Sequence, residues 1–184
     1  YLNLERFPYV GIHKSYSSDN LITDSAAGAT AFSIGKKSYN GAIGVDQDTV
    51  PVKTILEEAE DKGWATGLVA TSTITHATPA SFIAHVSSRN MQEAIAAQFL
   101  DTEIDFFVGG GQDFFENRKE DNRNISQELR QKGYQIMAID ETPFEQISFE
   151  GIDKFGYFTA AGSPDKLLDG RDYLISAGNQ AVQF

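Results

Sequence analysis

The sequence has 184 residues, 41% of them hydrophobic and 11% aromatic, enough apolar material for a packed core and too much for wholesale disorder. Fifteen basic against 26 acidic side chains leave a net charge of −11, which excludes a nucleic-acid surface built on clustered Lys and Arg. There is no cysteine, so disulfides, thiolate chemistry and cysteine zinc sites are excluded, and no apolar run approaches the roughly 18 residues of a membrane-spanning helix. The elements then follow in chain order. Residues 54–62 predict a helix with Ile55, Leu56 and Ala59 inward, four acids outward, and Gly63 as its C-terminal stop. Residues 65–71 (ATGLVAT) read as a buried strand. Residues 79–88 read as a helix with Thr78 as N-cap and Pro79 in first position. Residues 91–100 place Met91, Ile95 and Phe99 on one helical face. A strand over 104–108 runs into Gly109, Gly110 and Gly111, a helix over 124–132 stops at Gly133, and strands follow over 134–139 and 155–160. The charged run 116–123 and the acidic stretch 140–150 read as surface loops.

Helices and strands alternating over short connections predict an α/β fold, a three-layer sandwich with a central, mostly parallel sheet flanked by helices. No repeat or linker divides the chain, so residues 1–184 read as a single domain. The chain opens at Tyr1 without a methionine and stops at Phe184 in an apolar phrase, which reads as a cut from something longer.

The most informative segment is residues 21–31 (LITDSAAGATA). Seven small residues from Ser25 onward make a helix that other backbone can approach closely. Asp24 and Ser25 stand at its N-terminus, where free N–H groups and the helix dipole favour negative charge. Ordinary capping by either side chain explains the pair structurally; the alternative is a phosphate site or a serine nucleophile. A helix terminus supplies about 0.3–1 kcal/mol, about 2 at most, or about 1.5 pKa units at ~1.36 kcal/mol each. A serine hydroxyl needs more, from a base or a metal. With only His13, His76 and His85 present, a Ser-His-Asp triad is conceivable, but the Gly-x-Ser-x-Gly elbow is missing. A metal-activated serine fits better.

Residues 71–78 carry five hydroxyls and an imidazole directly after a strand, where α/β sheets place ligands. Thr78 reads equally as a helix cap or a hard-oxygen ligand for Mg²⁺. His76 is a metal-site neighbour or a hydrogen-bonded loop histidine; His85 reads as structural; His13 has no clustered partner. Arg89 at a helix C-terminus satisfies the dipole, or its guanidinium grips two phosphate oxygens, with Asp24 as the carboxylate that holds it. The triple glycine lacks the P-loop spacing and reads as a tight turn.

In this order, residues 23–31, 40–45 (NGAIGV), 75–80 (THATPA), 84–89 (AHVSSR) and 105–111 (DFFVGGG) resemble the alkaline phosphatase family, closest to its bacterial, cold-active branch. The resemblance spans roughly residues 1–133 and implies a metal-dependent phosphomonoesterase acting on phosphate monoesters. It implies Ser25 as the serine that becomes phosphoserine and touches zinc, Arg89 as the phosphate clamp, and Asp24 as its support. It also implies Thr78 as a magnesium ligand and His76 as a residue near that site. Two Zn²⁺ and one Mg²⁺, a homodimer and a periplasmic or secreted location come with the family. The family's Asp-Gly-Met-Gly phrase, its Glu magnesium ligand and its later Asp and His zinc ligands are absent here. The chain is therefore expected to be an incomplete, inactive part of the enzyme, prone to self-association at open sheet edges. The alternative is a non-catalytic phosphate- or anion-binding module using Ser25 and Arg89 without metals.

Overall fold

The computed structural model describes residues 2–184; Tyr1, where the family resemblance begins, lies outside the described residues. Helix α1 (Ser25–Ile34) is followed by α2 (Ile55–Glu60), β1 (Gly67–Thr73), α3 (Ala77–Ala80) and α4 (Gln92–Gln98). Then come β2 (Phe106–Gly110), α5 (Asp113–Glu116), α6 (Ile125–Gln131), β3 (Gln135–Ala138), β4 (Phe155–Phe158) and α7 (Leu174–Gln183). The four strands form one parallel sheet in the order β1-β2-β4-β3. The α/β architecture and the parallel sheet agree with the sequence reading. The four strands fall on the four runs read as strands in the sequence, 65–71, 104–108, 134–139 and 155–160, extended by two residues at the ends of β1 and β2.

Strand alternation splits the core into two. Phe107 and Phe158 point to the face covered by α4, α5 and α6, where they meet Phe99, Phe115, Ile125 and Leu129. Phe106, Val108, Phe155 and Tyr157 point to the other face, under Phe144, Tyr173 and Ala177. The sheet is thus covered on both sides, as parallel sheets require. Gly156 shows how tightly the first face is filled. A Cβ there would lie 2.2 Å from Phe107 Cζ and 2.6 Å from Ile136 Cδ1.

Three readings need correction. The helix predicted over 79–88 stops after one turn: α3 is Ala77–Ala80, with His76, not Thr78, at the N-cap position. Tertiary pairing overrides the local signal. Val86 N–H and C=O are both taken by Ile43, at 3.0 and 3.1 Å, so residues 81–88 cannot continue a helix. Ile55, placed inward by periodicity, is 61% exposed; only Leu56 is buried in the short α2. Gly109 and Gly110 belong to β2 rather than to a turn, and only Gly111 (φ +95°) makes the bend. Gly110 cannot carry a side chain, because a Cβ would lie 2.4 Å from Gly162 C=O. Helix α7 has no strong stop or start signal and escaped the sequence reading. Tyr173 anchors its start to β1 by donating to Ala70 C=O at 2.7 Å. Among the described residues no helix is long and apolar enough to cross a membrane.

Candidate functional site

Helix α1 begins at Ser25 because Asp24, in extended backbone, caps it: Asp24 Oδ1 accepts from Ala27 N–H at 2.8 Å. Gly35 (φ +71°) closes the helix, and its amide donates to Ala31 C=O. Between these ends the small residues do what their size allows. Ala26 packs fully buried with Ala77 and Ala80 of α3, and Ser81 Oγ, which donates to Ala77 C=O at 2.7 Å, lies 3.2 Å from Thr30 Oγ1. This brings the start of α1 beside the segment that leaves β1.

Three of the sequence-nominated residues converge on a fourth. Arg89 Nη1 donates to Ser25 Oγ at 2.8 Å and to Asp24 Oδ2 at 3.1 Å, while Arg89 Nη2 lies 3.2 Å from His76 Nε2. Ser25 itself is exposed, so its hydroxyl is both bound to a cation and open to solvent. Burial alone would raise the Asp24 carboxyl. Hydrogen bonds from Ala27 N–H, the Arg89 guanidinium and Gly41 N–H outweigh it and hold the group below the ordinary aspartate value. Burial, then the adjacent Arg89 charge, depress the His76 imidazole, which is neutral at pH 7. A neutral Nε2 facing a guanidinium N–H serves as acceptor. Asp24 thus caps the helix with one carboxylate oxygen and meets the Arg89 guanidinium with the other. The helix-dipole reading of Arg89 is not, since α3 ends nine residues before it.

Thr78 shares no hydrogen bond with Asp24, Ser25, His76 or Arg89 among the described residues. It is exposed and lines an open groove of about 320 Å³ with Ser72, Pro79 and Phe82. Nor does a Ser-His-Asp triad form among the described residues. His85 holds Gly44 C=O at 2.7 Å and Glu57 Oε1 at 3.1 Å, as a structural residue should. His13 packs edge-on against Phe32, and His76 faces Arg89. Sequence reading passed over Asn40 and Gly41 as members of the site. Asn40 Oδ1 accepts from Asp24 N–H at 2.9 Å, and Gly41 C=O accepts from Arg89 N–H at 2.8 Å. The signal was an Asn-Gly pair in a motif already singled out, but nothing local says which backbone it serves.

A parallel sheet flanked by helices, with serine, carboxylate and guanidinium gathered at the start of a small-residue helix, defines an α/β protein with a cation at a helix N-terminus. The family follows directly: the sequence model described as alkaline phosphatase matches residues 1–149, and this chain belongs to that family. It is 42% identical to alkaline phosphatase 3 of Bacillus subtilis over 166 residues, covering 86% of this chain and 35% of the relative. It is 41% identical to the alkaline phosphatase of Schizosaccharomyces pombe over 162 residues, covering 82% of this chain and 30% of the relative. The solved alkaline phosphatase of the Antarctic bacterium TAB5 superposes with a TM-score of 0.90 at 41% identity, covering 99% of this chain and 53% of that one. Two solved variants of the TAB5 enzyme, carrying histidine-to-glutamate and histidine-to-aspartate exchanges, hold Mg in their M3 site. The chain thus spans about a third of the curated relatives and about half of the solved one.

Proposed function

We propose that this chain carries the nucleophile and the phosphate clamp of a phosphate monoester hydrolase. The single observation behind this reading is the Arg89 guanidinium, which touches Ser25 Oγ and Asp24 together at the free N-terminus of α1. A phosphate monoester would enter over the exposed Ser25, and the guanidinium fork would turn from Ser25 and His76 onto two non-bridging oxygens. Asp24 keeps the fork oriented. Ser25 Oγ then attacks phosphorus, the bond from phosphorus to the ester oxygen breaks, and the alcohol departs with a proton. Water attacks the phosphoserine in turn, releasing inorganic phosphate and restoring the hydroxyl.

The residues supply part of the driving force. A charge-assisted hydrogen bond contributes about 1.5–3 kcal/mol and the helix terminus about 0.3–1, so together they favour a Ser25 alkoxide by roughly 1.3–3 pKa units. That is well short of a free alkoxide at neutral pH, and no histidine among the described residues bonds to Ser25 to take its proton.

The two Zn²⁺ and one Mg²⁺ that the family resemblance implies would add Lewis-acid chemistry, but the described residues do not make such a site by themselves. No three His, Asp or Glu side chains among them come together, and the Nε2 of His76 is turned to a cation. Ser25, Thr78 and His76 are this chain's candidates for single ligands only. A homodimer and a periplasmic or secreted location belong to the same reading.

The test is phosphoserine trapping. Labelled inorganic phosphate is added to the enzyme containing this chain, the mixture is quenched in acid, and label on the Ser25 peptide is counted, with Ser25→Ala beside it. Label should vanish in the variant. Label persisting at the wild-type level would end the assignment. Phosphate binding that survives chelation, with no metal-dependent hydrolysis of p-nitrophenyl phosphate, would point instead to the anion-binding module.

A further inference from the structure

Ser25 and Arg89 sit 64 residues apart and meet only through the tip of a long side chain. Their backbones are referenced to one another by a strap, residues 40–44, that neither belongs to. The strap is fastened to α1 through Thr30, whose Oγ1 donates to Ala42 C=O at 2.9 Å and accepts from Gly44 N–H at 3.1 Å. It is fastened to the Arg89 segment by the Ile43–Val86 pair and by Arg89 N–H on Gly41 C=O at 2.8 Å. Gly44 (φ +60°) is held against that segment so closely that a Cβ would lie 2.0 Å from Ala84 C=O.

One side chain of the strap reaches the nucleophile loop. Asn40 Oδ1 accepts from Asp24 N–H at 2.9 Å, and Asn40 Nδ2 donates to Ile22 C=O at 2.9 Å. The amide brackets residues 22–24 from both ends of its own dipole, which fixes which end is oxygen. Asp19 Oδ1 in turn accepts from Asn40 N–H at 2.9 Å. We propose that Asn40 is a positioning residue, which with Gly41 sets the angle between the Ser25 helix start and the Arg89 guanidinium. It touches neither reacting group and acts through Asp24 N–H on one side and, through the Gly41 carbonyl, on the Arg89 backbone on the other. The consequence for phosphate rests on the hydrolase reading above; the geometric consequence does not.

The experiment separates the two. Backbone amide and arginine Nε signals of Asp24, Ser25 and Arg89 are followed by NMR in wild type, Asn40→Ala and Asn40→Asp, first alone and then with inorganic phosphate added. Asn40→Ala should shift the Asp24 amide and Arg89 Nε signals without phosphate, and weaken phosphate binding by about three- to tenfold, the worth of one part-buried hydrogen bond. Asn40→Asp retains an acceptor for Asp24 N–H and should restore the Asp24 amide signal toward wild type. Dispersed signals from Ile43 of the strap and from its partner Val86 show that each variant is folded. Unmoved Asp24 and Arg89 signals in Asn40→Ala, or an Asn40→Asp no better than alanine at the Asp24 amide, overturn the proposal. If wild type shows no phosphate-dependent shift at Ser25 or Arg89, the phosphate reading fails, while the phosphate-free comparison still decides the role of Asn40.

Discussion

Asp24 does two jobs with two oxygens, and a pair of substitutions separates them. Asp24→Ala removes the cap on Ala27 N–H and the anion beside Arg89 together. A lost N-cap costs about 1 kcal/mol within a range of about 0.5–2, and the carboxylate at the helix start adds about 0.3–1. The Asp24–Arg89 pair, with both side chains 27% exposed, belongs toward the low end of charged hydrogen bonds, about 1 kcal/mol after solvent screening. The sum is about 2–3 kcal/mol. Asp24→Asn keeps an oxygen for Ala27 N–H and loses only the charge, so about 1–2 kcal/mol is expected. For a chain of this size, ~1 kcal/mol moves the melting temperature by about 2–4 °C. Thermal and urea unfolding at pH 7 should therefore rank wild type, then asparagine, then alanine, with alanine lower than asparagine by several degrees. Equal losses in the two variants would show that the cap does not operate and that only the charge matters.

Two further outcomes follow from the packing and the charges. Gly156→Ala drives a methyl into Phe107 and Ile136, and overpacking of this kind costs about 1–3 kcal/mol; an unchanged urea midpoint would refute the close approach. Burial pushes the Glu57 carboxyl up, but Thr54 N–H and His85 outweigh it and hold the group below 4.5. A depressed carboxyl stabilises the fold above its unfolded value and loses that contribution as pH falls through the folded one. The stability gap between wild type and Glu57→Gln should thus be full at pH 7 and close as the solution is acidified below about 4.5. A gap that stays constant to pH 3 would deny the ionic part of the Glu57 contacts.

Much of this protein is legible in the order of its residues. The apolar runs that became β1, β2, β3 and β4, the cap Asp24, and the stop glycines Gly63 and Gly133 are local signals, and local physics carries them. The small-residue helix beginning at Ser25, and the candidacy of Asp24, His76 and Arg89, were equally readable, because a hydroxyl and an acid at a helix start are a chemical statement by themselves. Tertiary structure decided the remainder. Residues 81–88 gave up helix because Ile43 claimed Val86, a pairing 43 residues apart that no window can see. His85 was absorbed by Gly44 and Glu57. Arg89 meets Ser25 where two alanine-lined helices pack closely and where Asn40 binds Asp24 N–H and Gly41 C=O binds Arg89 N–H. The types of group at the site are written locally. Their mutual angle and distance are set by hydrogen bonds and packing between segments far apart in the chain, so only the folded molecule could disclose them.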